Sequence, residues 1–86
     1  MTRKNLEKKI LNAVKFYLHP DERKNVNMES TFSGDLYFDS LDKTELSMKI
    51  ERDFCFKERD AVWQDFFDGR NDPSVRDLCD FVEKRL

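Results

Sequence analysis

Apolar residues recur along this chain at three- and four-residue intervals and nowhere alternate from one residue to the next, so the pattern supports helices and no sheet. From Asn5 to Leu18 the period is carried by Leu6, Ile10, Ala13, Val14, Tyr17 and Leu18, with Lys and Glu between them. His19-Pro20 ends that helix, because proline restricts the residue before it and has no amide hydrogen. Asp21 to Phe38 has no sustained period and reads as a long ordered loop that Val26, Met28, Phe32, Leu36, Tyr37 and Phe38 could pin down. A second helix is expected from about Ser40 to Phe54 with Asp39 as its N-cap. A short third helix is expected around Ala61 to Phe67, followed by a break at Gly69-Arg70-Asn71-Asp72-Pro73. Ser74 then caps a last helix, with Asp77 completing a capping box and Val75, Leu78, Phe81, Val82 and Leu86 facing inward. With 86 residues there is room for one domain, 1–86, and the expected class is all-α: a four-helix bundle with a long connection between the first and second helices.

Composition narrows the function. Sixteen Lys and Arg against eighteen Asp and Glu leave a net charge of −2, so no overall field points to nucleic acid or to an anionic membrane. No apolar run is long enough to span a bilayer, and the basic start MTRKNLEKK is not followed by an apolar stretch, so the expected compartment is the cytoplasm. Cys55 and Cys79 are too far apart for a CxxC clip and His19 is the only histidine, so no metal site is expected and both cysteines read as reduced packing residues. There is no GxSxG elbow and no glycine-rich phosphate loop. Carboxylates abound in a chain that is 40% charged and mark a solvated face. No catalytic residue is assigned, and an enzyme is not expected.

The second helix has two apolar faces. At about 100° per residue, Leu46, Ile50 and Phe54 form one stripe, which is core, while Leu41 and Met48 point in nearly the opposite direction with Glu45 and Arg52 beside them. A small Leu and Met surface rimmed by charge suits a partner. The pattern equally allows Leu41 to fold under the long loop, with Met48 an isolated exposed residue.

Asp39-Ser40-Leu41-Asp42-Lys43-Thr44-Glu45-Leu46, continued by Met48, Ile50, Glu51 and Phe54, resembles the acyl carrier protein family in the pattern DSLDxxELxMxIExxF. Ser74 to Val82 also looks like that family's final helix. The resemblance implies a four-helix carrier whose DSL serine, here Ser40 flanked by Asp39 and Leu41, is esterified by 4′-phosphopantetheine. A separate phosphopantetheinyl transferase would supply the arm from coenzyme A. The arm's thiol would hold acyl intermediates as thioesters and deliver them to acyl-transferring, condensing or modifying enzymes of fatty-acid, lipid or polyketide-like biosynthesis. Leu41, Asp42, Glu45, Met48 and Glu51 match family positions that contact such partners, and a monomer is expected. Aminoacyl and peptidyl carriers also use a helix-start serine, but the Asp42 and Glu45-Leu46 continuation favours the acyl type. A helical interaction module that is never modified is the other alternative.

Three features depart from the family. Tyr37 and Phe38 stand where small residues are common, Lys43, Lys49 and Arg52 interrupt a usually acidic helix, and the stretch from Cys55 to Pro73 is longer and more aromatic than usual. Weaker attraction to basic partners is the expected consequence of the second. Trp63, Phe66 and Phe67 either reshape an acyl pocket or add core.

Overall fold

The computed structural model describes residues 1–69 and 71–86, so Arg70, inside the expected break before the last helix, lies outside the described residues. Among the described residues five helices follow one another: α1 (Arg3–Phe16), α2 (Pro20–Arg23), α3 (Ser40–Phe54), α4 (Asp60–Asp68) and α5 (Val75–Glu83). α1 begins two residues earlier than the apolar period suggests because the Thr2 side chain accepts from the Asn5 amide and caps it. It stops at Phe16, and Tyr17 and Leu18 close the end with tighter bonds to the Val14 and Lys15 carbonyls. The expected loop from Asp21 is corrected at its start. Pro20 ends α1 and also opens the single turn α2, where its missing amide hydrogen costs nothing at the first helical position.

The core joins Leu6, Ile10, Ala13 and Val14 of α1 to Leu46 and Ile50 of α3 and to Val75, Leu78, Cys79 and Val82 of α5. Full burial of a residue such as Ile10, Leu46, Ile50 or Leu78 contributes about 1.5–3 kcal/mol each relative to leaving it exposed. Leu86 does not join them. It is exposed, because α5 ends at Glu83, three residues before it.

The long connection is tied down at many points. Phe32 is fully buried, its amide donates to the Pro73 carbonyl, and its ring meets Phe38 and Phe67. Val75 and Arg76 donate to the Ser30 and Met28 carbonyls, and Thr31 forms one antiparallel bridge with Ser74. Both Asp72 carboxylate oxygens accept, one from the Ser33 amide at 2.9 Å and the other from the Gly34 amide at 2.7 Å. The connection therefore enters α3 from a fixed direction.

On α4, Trp63 and Phe67 are buried, stacked on each other, with Trp63 tilted against Phe81 of α5. The extra aromatics are thus part of the core wall. The two cysteines differ. Cys79 is buried, which pushes its thiol up to about 11, whereas Cys55 is exposed and ends α3 in the left-handed conformation, so it does not pack as expected.

Candidate functional site

Ser40 is exposed and occupies the first helical position of α3. The turn is built by its neighbours. Asp39 Oδ1 accepts from the Asp42 amide at 2.8 Å, and Asp42 Oδ2 accepts from the Asp39 amide at 3.2 Å, which makes a reciprocal capping box. Thr44 Oγ1 donates to the Ser40 carbonyl at 2.9 Å and adds to the turn. The amides of Ser40 and Leu41 have no acceptor among the described residues, as the geometry of a helix start dictates, and they lie at the positive end of the α3 dipole. An exposed hydroxyl beside two unpaired amides suits an attached anion, since charge introduced there meets donors and a favourable field.

The residues before the turn hold it in place. Phe38 is buried against Phe32 and its amide donates to the Phe32 carbonyl at 2.8 Å. Tyr37 points outward, 78% exposed, with φ of 57°. That left-handed backbone costs a bulky residue roughly 1 kcal/mol or more, so glycine would sit there more easily. The aromatic pair is thus divided between an anchor and an exposed rim.

Behind Ser40 a groove of about 400 Å³ runs between α3 and α4, with Lys43 and Asp68 near Ser40 and Met48, Trp63 and Phe67 farther along it. Its lining mixes polar and apolar surface in similar measure, and Ser47, buried there, donates its hydroxyl to the Thr44 carbonyl.

The residues expected on a partner face divide into two groups. Leu41 and Met48, 65% and 54% exposed, lie on one outward stripe of α3, with Glu45 exposed between them and Arg52 exposed beyond. The Tyr17 hydroxyl donates to the Glu45 carbonyl, which fixes the end of α1 beside that stripe. Asp42 is half-buried and turned back to cap α3. Glu51 is turned to the other side, where Oε2 accepts from Trp63 Nε1 at 3.0 Å and from the Glu58 amide at 2.8 Å.

The interrupting cations prove unequal too. Lys43, with a side chain only 13% exposed, donates to Ser33 Oγ at 2.9 Å and pairs with Asp68 at 3.4 Å. Lys49 pairs with Asp53 and lies 4.9 Å from the Phe16 ring centroid. Arg52 alone of the three is exposed. Lys43 belongs to the site beyond its expected role of interrupting an acidic helix, and its position three residues after Ser40 is the signal in the sequence that the two share one side of α3.

Partial burial pushes the Asp72 carboxyl up, but the Ser33 and Gly34 amides, the Thr31 hydroxyl and the Lys43 charge outweigh it and hold the group below its ordinary range. No helix is long and apolar enough to cross a membrane, and no cluster of three metal-ligating side chains occurs, both among the described residues.

No protein-family model matches the chain. Individual proteins do. Over 81 residues it is 36% identical to an acyl carrier protein of Porphyromonas gingivalis, covering 94% of this chain and 95% of that one. It is 33% identical over 84 residues to a putative mitochondrial acyl carrier protein of Schizosaccharomyces pombe, covering 98% of this chain and 70% of the relative. An acyl carrier protein of Coprothermobacter proteolyticus is 32% identical over 65 residues, covering 76% and 72%.

Proposed function

The chain belongs to the acyl carrier protein family, and from that premise we propose that it carries acyl groups on a 4′-phosphopantetheine arm esterified to Ser40. The observation that supports this most directly is the exposed Ser40 hydroxyl at the start of a capped helix, beside two unpaired amides and at the mouth of a groove. In the modification, Ser40 Oγ attacks the pantetheine-side phosphorus of coenzyme A. The Oγ–P bond forms, the pyrophosphate P–O bond breaks with departure of adenosine 3′,5′-bisphosphate, and the hydroxyl proton passes to a base of the transferase. When attached, the arm supplies a terminal thiol that holds acyl groups as thioesters.

The chain's own residues then have three tasks. Asp39 and Asp42 keep the α3 turn rigid through the capping box, so Ser40 faces solvent in one direction. The amides of Ser40 and Leu41 offset the phosphodiester charge. Leu41, Glu45 and Met48 form the docking stripe for the transferase and for the enzymes that load and use the cargo. A small stripe of this kind suits brief encounters, since a carrier must leave each partner, and tethering replaces free diffusion with a local effective concentration. Bond-making chemistry belongs to the partners, which act within a cytoplasmic lipid or polyketide-like pathway.

Intact mass after treatment with a phosphopantetheinyl transferase and coenzyme A tests the assignment. The wild type is expected to gain the mass of the arm, and Ser40→Ala to gain nothing. Equal gain by both variants would move the site elsewhere. No gain by either, together with native protein lacking the arm, would favour an unmodified interaction module.

A further inference from the structure

Attachment of a phosphodiester at Ser40 would place a full negative charge next to the carboxylates of Asp39 and Asp42. The two unpaired amides offset it in part, and among the cations of α3 the one nearest along the helix is Lys43. On α3, Lys49 and Arg52 are nine and twelve residues further on, roughly 13 and 18 Å along the axis. Lys43 is three residues on, where side chains share a face with Cβ atoms about 5–6 Å apart. Helical side chains lean toward the N-terminus, and Lys43 does so, since its ammonium reaches Ser33 of the connection that precedes α3. Lys43 and Ser40 also line the same end of the groove.

The present partner of Lys43 is a weak competitor. Asp68 is 3.4 Å away and its side chain is 55% exposed, the regime in which an ion pair contributes little. An ammonium has three donors, so Lys43 can keep its 2.9 Å bond to Ser33 Oγ while exchanging Asp68 for another oxygen. Asp68 is the last residue of α4 and faces α3 across the mouth of the groove. Its pair with Lys43 is a tie between the two helices at that end.

Resting on the assignment of the arm to Ser40, we infer that Lys43 is the counter-ion of the phosphodiester and that, in taking this role, it releases Asp68 and loosens the end of α4 over the groove. Modification then does two things with one charge. It anchors the root of the arm beside α3, and it opens the groove into which that root leads. A carrier without the arm keeps the groove mouth tied.

The experiment compares apo and holo protein, prepared with coenzyme A and a phosphopantetheinyl transferase and checked by intact mass, for the wild type, Lys43→Gln, Lys43→Arg and Asp68→Asn. At low salt, wild-type holo and apo forms are expected to melt at nearly the same temperature. Lys43→Gln holo is expected to melt roughly 4–8 °C below its own apo form, the shift that one lost charge interaction gives in a domain of this size. That gap shrinks in high salt as screening replaces the counter-ion, and Lys43→Arg restores the wild-type behaviour. Amide exchange at Phe66 to Asp68 is expected to be faster in wild-type holo than in apo. In Asp68→Asn it is already fast in the apo form and unchanged by modification, a readout that does not depend on Lys43→Gln folding. A normal mass gain with the same holo–apo gap in Lys43→Gln as in wild type, or with unaltered exchange at Phe66 to Asp68, overturns the role of Lys43 alone. Absence of a mass gain at Ser40 overturns the arm assignment and this inference with it.

Discussion

Glu51→Ala is the substitution that separates a fold residue from a partner residue most cleanly. In the folded protein, Glu51 Oε2 accepts from Trp63 Nε1 at 3.0 Å and from the Glu58 amide at 2.8 Å, both partly buried. Hydrogen bonds to a charged acceptor contribute about 1.5–3 kcal/mol each, and partial burial puts these two at the lower end, so their joint loss is about 3 kcal/mol. A domain of 86 residues has roughly 4–13 kcal/mol of stability in all, so the loss is a large fraction of it. Glu51→Gln retains a carbonyl acceptor without the charge and is expected to lose about half as much. Trp63 is the only tryptophan and is 4% exposed, so its fluorescence reports unfolding at the site of the perturbation. With a urea slope of about 1–1.5 kcal/mol per molar for so small a domain, the Glu51→Ala midpoint should fall by about 2–3 M, and that of Glu51→Gln by about 1 M. A Glu51→Ala midpoint within about 0.3 M of wild type, with slower modification of Ser40, would refute the placement of Glu51 in the fold and return it to the partner face.

The Asp72 carboxyl is held below its ordinary range in the folded state, so the unfolded chain binds a proton more readily and this contribution to stability is complete above the unfolded carboxylate's titration. It is lost as pH falls through the lower folded value. Asp72→Ala should therefore melt below wild type at pH 6, with the gap closing below about pH 4, and a gap independent of pH would contradict the charge-assisted bonds to Ser33 and Gly34. Leu41→Asp and Met48→Asp, at exposed positions, should leave the free energy of urea unfolding within about 0.5 kcal/mol of wild type yet slow modification of Ser40 about tenfold. Unchanged modification kinetics would remove the docking role of that stripe.

Features carried by neighbours along the chain were legible beforehand. The Asp39 cap, the Ser74 and Asp77 capping box and the span Ser40–Phe54 all rest on contacts within four residues, where residue type and spacing are the whole geometry. The inner stripe of Leu46, Ile50 and Phe54 followed from helical period alone, whereas the period set Leu41 and Met48 opposite that stripe but left open whether Leu41 folds under the long connection, and the packed structure leaves it exposed. The short turn α2 was missed because Pro20 carries two local meanings, a stop for the helix before it and a start for the one after it.

What the sequence by itself determined is a set of capped, amphipathic helices with an exposed serine at the start of one of them. Tertiary structure decided which polar residues remain available around that serine. Lys43 is drawn inward by Ser33 and by Asp68, 10 and 25 residues away. Glu51 is taken up by Trp63, 12 residues away, and Asp72 by Ser33 and Gly34, 39 and 38 residues away. A side chain's nearest neighbours within a helix follow from a fixed rise and turn, but its partner on another helix depends on how the whole core packs. The same three charges could equally have stood unpaired, and only the packed chain supplied the partners they hold.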